Sequence, residues 1–151
     1  MGRLQIKEQN NKIRGKTDAV SSCPSEQYPW ISFRSLTRNA KYNLSMLRQG
    51  SEREQTLSGL YQRLTELTGK TWLHWTQQPK QTGMETMKYD DIQFEADANS
   101  NLAKDTTLYI FRFDTHLGEG KGRIIGYKNA PCAVFHIIGY DIDFSAYNHG
   151  K

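Results

Sequence analysis

Residues 108–113 (LYIFRF), 122–128 (GRIIGYK) and 132–140 (CAVFHIIGY) are three runs rich in β-branched and aromatic residues, a composition typical of β-strands. Two short connections separate them, one carrying Gly118-Glu119-Gly120 and the other Asn129-Ala130-Pro131. Connections this short join antiparallel neighbours, because a parallel pair needs a longer crossover. The three runs therefore predict a C-terminal antiparallel β-meander.

The segment that leads into the helical part of the chain predicts one strand and one short helix. Residues 31–36 alternate apolar with polar side chains, which is the two-residue period of a half-buried strand. From Asn39 the spacing changes, and Tyr42, Met46 and Leu47 fall on one helical face. We expect this short helix to end at Gly50.

A second, longer helix has the clearest pattern in the sequence. Residues 51–54 read Ser-Glu-Arg-Glu, which has the form of a capping box. Leucine and tyrosine side chains then recur at steps of three and four residues: Leu57, Leu60, Tyr61, Leu64 and Leu67. The helix is predicted to end at Gly69, whose missing Cβ suits a left-handed C-terminal position.

The order of strand, two helices and meander predicts an α+β fold with the helices on one face of a twisted sheet. We expect a single α+β domain over residues 28–151 and a flexible N-terminal tail over residues 1–27, which is polar and has few large apolar side chains. Trp72 and Trp75 follow the long helix and are expected to close the core, with base stacking as the alternative. Residues 88–105 suggest a ragged strand and an exposed loop.

Composition argues against several classes of protein. Two cysteines are too few for a disulfide scaffold and are read as free thiols. No run of about 18 apolar residues and no hydrophobic signal segment is visible, so we expect a cytoplasmic protein without a membrane partner. The net charge of +4 is divided evenly between the first 27 residues and the remainder, so the folded part does not by itself demand a nucleic-acid partner.

Two arginines within the apolar runs are the first candidate site residues. Arg112 lies among aromatic residues, and Arg123 opens the second run. A buried guanidinium is costly unless it meets a carboxylate, solvent or a bound phosphate. The structural alternative is an ion pair with Asp114 or Glu119. Lys128, at the end of the second run, is assigned to substrate binding together with Arg112.

The C-terminus supplies candidate acid and base groups. Tyr147 and His149 follow the third run, and a histidine with a pKa near ~6.5 can exchange a proton at neutral pH. The alternative for His149 is an exposed terminal residue without a role. The four histidines have no metal-ligand spacing, and no phosphate-cradling loop precedes a helix, so neither a metal nor a cofactor is expected.

Topology and the pattern of Arg112, Arg123 and the Tyr147/His149 end resemble the RelE/ParE superfamily of toxin–antitoxin toxins. The resemblance implies a metal-independent mRNA endonuclease that acts on free RNA or on the ribosome and is held by a protein antitoxin. In this likeness Arg123 clamps the scissile phosphate, Arg112 supports it, and Tyr147 and His149 take the terminal acid/base positions. Glu85 stands for the carboxylate that some members use as base.

Two other functions remain open on the sequence. One is a non-enzymatic binding module of the same fold, such as a ParE-like topoisomerase inhibitor. The other is a non-toxic accessory protein in which Arg112 and Arg123 form structural ion pairs.

Overall fold

A computed structural model describes residues 27–129 and 134–148. The predicted tail lies outside these residues apart from Gln27, whose carbonyl oxygen accepts a hydrogen bond from the Trp72 amide at 2.9 Å. Neither helix in the described ranges is long and apolar enough to cross a membrane. The elements in chain order are β1 (Trp30–Ser32), α1 (Ser51–Thr68), α2 (Trp72–Thr76), β2 (Met84–Lys88), β3 (Thr107–Thr115), β4 (Gly118–Lys128) and β5 (Val134–Asp141).

The strands form one five-stranded mixed sheet in the order β1-β5-β4-β3-β2. Strands β2 to β5 are antiparallel to their sequence neighbours, so the three predicted runs are adjacent as expected. Strand β1 pairs parallel to β5, and the sheet as a whole is therefore not a simple meander. The helices and three strands that intervene between β1 and β5 provide the long connection that a parallel pair requires. The α+β class is confirmed.

The short helix predicted from Asn39 to Gly50 is wrong, because this segment consists of turns and bends. Asparagine side chains compete here with helical hydrogen bonds. The Asn39 side chain accepts from the Lys41 amide at 3.1 Å, and the Asn43 side chain donates to the Thr37 carbonyl at 3.2 Å. Strand β1 is also shorter than residues 31–36, since it ends at Ser32.

Helix α1 lies where its periodicity predicts, but both of its ends differ from expectation. Gly50, with φ 119°, is the N-cap, and no side chain caps the helix. Ser51 is already the first helical residue, so its hydroxyl does not take the capping-box position. Gly69 closes the helix at φ −88°, in the right-handed region and not the left-handed one.

The boundaries of β2 and of the β3–β4 hairpin were not predicted. The expected strand from Lys88 is displaced toward the N-terminus, since β2 ends at that residue. Residues 89–106 are irregular, with two single 3₁₀ turns. The glycine-rich stretch expected to be a hairpin loop belongs to β4, because Gly118 already pairs with Thr115.

The sheet has two differently covered faces, which we name the helix face and the loop face. On the helix face, α1 and α2 pack against β3, β4 and β5, and Trp72 and Trp75 are buried at 1% and 4% exposure, which confirms their predicted core role. The loop face is covered by side chains from three irregular segments: Tyr42, Phe94, Ala146 and Tyr147.

Candidate active site

A row of charged side chains crosses one end of the loop face. Arg112 in β3 lies directly opposite Arg123 in β4, and Arg123 lies opposite Asp141 in β5. We call these three residues the charged row. Like charges directly opposite each other on neighbouring strands are destabilising, so the two arginines require compensating partners.

Glu85 compensates Arg112 from the adjacent strand β2. Its Oε1 accepts from Arg112 Nη2 at 2.7 Å and from Nε at 3.0 Å. Both side chains are partly exposed, 30% for Arg112 and 19% for Glu85. Arg112 therefore pairs with Glu85 and not with Asp114 or Glu119, the alternative partners that the sequence left open, and Asp114 accepts from the Gly120 amide at 2.7 Å. The pairing of Glu85 with Arg112 was missed because β2 was not predicted beside β3.

Arg123 is buried, with 4% exposure. Its Nη1 donates to the carbonyl oxygens of Gly120 at 2.8 Å and Gly122 at 3.0 Å, and its Cζ lies 5.1 Å from the centre of the Phe144 ring. Its Nε has no hydrogen-bond partner within the described ranges. The Tyr147 phenol is a further neighbour of this guanidinium, since a hydrogen bond with Arg123 and the charge of Arg123 both oppose the rise of the Tyr147 pKa.

Asp141 organises the C-terminal segment over the charged row. Its carboxylate accepts three backbone amide hydrogen bonds, from Asp143 at 3.3 Å, Ser145 at 3.1 Å and Ala146 at 3.2 Å. This turn holds Phe144 in the left-handed region at φ 58°, which is uncommon for an aromatic residue. The segment then forms a bridge to Ile92 through Tyr147, which lies against the loop face.

Tyr147 lies within electrostatic reach of the charged row and of Glu85. Burial raises the pKa of the Tyr147 phenol, the Arg123 guanidinium opposes this shift, and the Glu85 and Asp141 carboxylates add to it. Tyr147 is therefore protonated at neutral pH. A neutral phenol in this position can donate a hydrogen bond, and the carboxylates of Glu85 and Asp141 and the guanidinium of Arg123 act on it.

Four of the six predicted site residues come together in this way: Glu85, Arg112, Arg123 and Tyr147. Lys128 does not join them, because it lies on the helix face with its Nζ 4.6 Å from the centre of the Trp72 ring and 5.4 Å from that of Tyr109. His149 lies outside the described residues.

The sequence interpretation missed the roles of Asp141 and Phe144. The signal for Asp141 was a carboxylate closing an otherwise apolar strand, where a buried charge is costly without partners. Phe144 carried no signal of its own, since its position over Arg123 follows from the turn that Asp141 holds.

Arg112 is the member of the charged row that lines a cavity, and neither Arg123 nor Asp141 lines it. Arg112 borders a cavity of about 170 Å³ between the β3–β4 hairpin and α1. No group of three His, Cys, Asp or Glu side chains within residues 27–129 and 134–148 could hold a metal ion. Comparisons of the chain with protein-family models, with curated proteins and with solved structures find no match.

Proposed function

We propose that the chain is the toxin of a toxin–antitoxin pair and acts in the cytoplasm as a metal-independent endoribonuclease of RelE-like fold. The observation that carries this proposal is the meeting of Glu85, Arg112, Arg123 and Tyr147, which come from β2, β3, β4 and the C-terminal segment. Guanidiniums can stabilise the charge that develops on a phosphate, and a carboxylate and a phenol can accept a proton and donate a hydrogen bond, so these groups suit phosphodiester cleavage without a metal.

The arginines take the scissile phosphate. Arg112, with its side chain 30% exposed, is the guanidinium that a phosphate meets first. Arg123 lies beneath the Phe144 ring and contributes its positive charge from below the surface. Two arginines held side by side repel each other in the free protein, and a bound phosphate removes that repulsion.

The remaining groups transfer protons. The ribose 2′-oxygen attacks phosphorus and forms a new P–O bond, its proton passes to the Glu85 carboxylate, and the bond from phosphorus to the 5′-oxygen breaks. Tyr147 donates a hydrogen bond to the phosphate oxygens. His149 protonates the leaving 5′-oxygen, a role that rests on the family resemblance.

Cleavage of RNA by the purified chain, alone and with ribosomes, tests the proposal. Glu85→Gln keeps the size of the side chain but removes the base, and we expect cleavage to slow by ~10²–10⁴-fold. Arg123→Ala should slow cleavage by about 10²-fold or more, because it removes charge stabilisation in the transition state. Tyr147→Phe and His149→Gln should also slow cleavage.

Glu54→Gln is the matched control, since this carboxylate is exposed on α1 and does not line the cavity beside Arg112. It should cleave RNA at the wild-type rate. Thermal unfolding of every variant separates lost chemistry from lost folding. Full activity in folded Glu85→Gln and Arg123→Ala would show that the charged row is structural.

The second candidate is a non-enzymatic binding module, and the 4% exposure of Arg123 favours it. In that case expression arrests growth with filamentation and DNA damage while messenger RNA stays intact. Neutral expression would instead indicate an accessory protein. An adjacent gene for a small antitoxin that abolishes growth arrest would support both toxin functions.

A further inference from the structure

One aromatic ring is held out toward solvent beside the charged row. Phe144 keeps 40% of its surface exposed, whereas Arg123, whose Cζ lies 5.1 Å from the centre of the Phe144 ring, is only 4% exposed. The guanidinium therefore lies on the inner side of the ring, and part of the ring is accessible from outside the protein.

The backbone that carries this ring is strained and held in place from several sides. Phe144 has φ 58°, a conformation that is costly for a bulky side chain. The amides of Asp143 and Ser145, on either side of it, donate to the Asp141 carboxylate, and the Tyr42 hydroxyl donates to the Ser145 carbonyl at 3.3 Å. Strain of this kind persists only where the surrounding structure enforces it, and it is concentrated at functional positions.

Positive charge surrounds the exposed ring. Lys121 Nζ lies 5.8 Å from the centre of the Phe144 ring, so Lys121 and Arg123 both approach the same ring. The Lys121 contact is close to the outer limit of about 6 Å for a cation–π pair, and this lysine is exposed. Its ammonium group can therefore leave the ring and meet another partner. The nearby Asp143 carboxylate is already paired with Lys41 Nζ at 3.4 Å.

We infer that Phe144 and Lys121 form a subsite for single-stranded RNA, in which an unpaired base stacks on the Phe144 ring and Lys121 contacts the adjoining phosphate. An exposed aromatic ring with cations beside it suits any single strand, because every base has a flat π surface and every nucleotide has a phosphate. A base must be unpaired to stack on a side chain, so duplex RNA does not fit. The inference rests on the proposed function and states how the strand is held beside the charged row.

A purely structural role for Phe144 predicts different behaviour. If the ring only shields Arg123 from water, substitutions at Phe144 change stability and leave RNA binding unaltered. The two parts of the subsite also differ from each other in their response to salt. Stacking on Phe144 involves no ion release, whereas each lysine–phosphate contact releases counterions and makes affinity fall as salt rises.

Binding of an uncleavable single strand to the full chain tests the subsite. The probe is a short oligoribonucleotide with fluorine in place of every 2′-hydroxyl, and fluorescence anisotropy measures its affinity over a range of salt concentrations. Phe144→Leu should weaken binding by about 10-fold or more at every salt concentration, because it keeps an apolar side chain but removes the stacking surface. Phe144→Tyr should bind like the wild type. Lys121→Gln should reduce the slope of log affinity against log salt by about 0.7.

Phe33→Leu is the matched control, since Phe33 is a phenylalanine with 53% exposure outside the C-terminal segment. It should bind the probe with wild-type affinity, and an equal loss in this variant would overturn the location of the subsite. Annealing the complementary strand to the probe should remove the difference between the wild type and Phe144→Leu. Thermal unfolding confirms that each variant is folded. Wild-type affinity in folded Phe144→Leu would overturn the inference.

Cleavage of unmodified RNA, measured beside binding, separates this inference from the proposed function. Phe144-dependent binding of the probe by a chain that leaves unmodified RNA intact would support the subsite and contradict the endoribonuclease. Cleavage of unmodified RNA at the wild-type rate by Phe144→Leu, with unchanged binding of the probe, would support the endoribonuclease and overturn the subsite.

Discussion

The two faces of the sheet are covered by different kinds of structure and differ in the polarity of their side chains. The helix face buries a continuous aromatic and aliphatic core in which the Trp72 ring lies 5.9 Å from Phe135 and 6.4 Å from Phe111. The loop face has an apolar middle, with the charged row at one end and the polar side chains of Ser35, Tyr127 and His136 at the other. Regular elements thus cover the face that provides stability, while irregular segments cover the face that carries the candidate sites.

This difference has a physical basis. A helix offers one apolar stripe and no free backbone groups along its length, so it seals a sheet face. Irregular segments must satisfy their backbone amides with side chains, as the segment around Phe144 does with the Asp141 carboxylate. Polar side chains such as Asp141 are therefore held in place on the loop face.

The largest expected effect is a loss of unfolding free energy after a substitution in the core of the helix face. Trp72→Ala should lower the free energy of unfolding by about 3–5 kcal/mol, because it removes a fully buried ring from the helix face. Urea denaturation measures this loss. The neighbouring Leu73→Ala, at 40% exposure, is the control and should change stability by about 0.5 kcal/mol or less. A small effect for Trp72 would contradict the helix face as the main core.

The charged row should contribute less to the free energy of unfolding than the core of the helix face does. Arg112→Met strands the Glu85 carboxylate and should cost about 1–3 kcal/mol, since hydrogen bonds to charged groups are lost at a partly exposed position. Adding Glu85→Leu should recover part of that loss, because a stranded charge is more costly than none. Chemical denaturation of both variants measures the coupling. Additive losses would show that the two side chains do not interact.

A single hydroxyl tests the polar end of the loop face. Tyr127→Phe removes the partner of the buried Ser35 hydroxyl and should cost about 1 kcal/mol. Tyr61→Phe, on an exposed part of α1, should leave the midpoint of denaturation unchanged. Equal midpoints for Tyr127→Phe and the wild type would mean that this hydroxyl pair adds nothing.

The smallest effect is a dependence on pH. Since burial lowers the pKa of His136 from its ordinary 6.5, the folded protein binds this proton less tightly than the unfolded chain. The contribution of His136 to stability is therefore present above pH 6.5 and is lost as the pH falls through that value toward the folded pKa. Thermal unfolding from pH 7.5 to 5 should show a smaller decline in His136→Gln than in the wild type. Identical declines would remove His136 as the source.

The sequence by itself determined the regular elements that local patterns encode. Runs rich in β-branched and aromatic residues located β3, β4 and β5, and a 3.6-residue period located α1. The burial of Trp72 and Trp75 followed from their size and position. These features depend on residues that are close together in the sequence, so local sequence patterns are sufficient to predict them.

Only the tertiary structure decided which distant side chains meet. Glu85 reaches Arg112 across 27 positions because β2 pairs beside β3, and a shift of register by one residue would turn Glu85 to the other face. Lys128 lies on the helix face and away from Arg123, because side chains alternate between the two faces along β4. The segment of residues 39–50 lost its predicted helix to hydrogen bonds from asparagine side chains. Candidate sites on this protein therefore arise from strand register and loop closure, which local sequence patterns do not record.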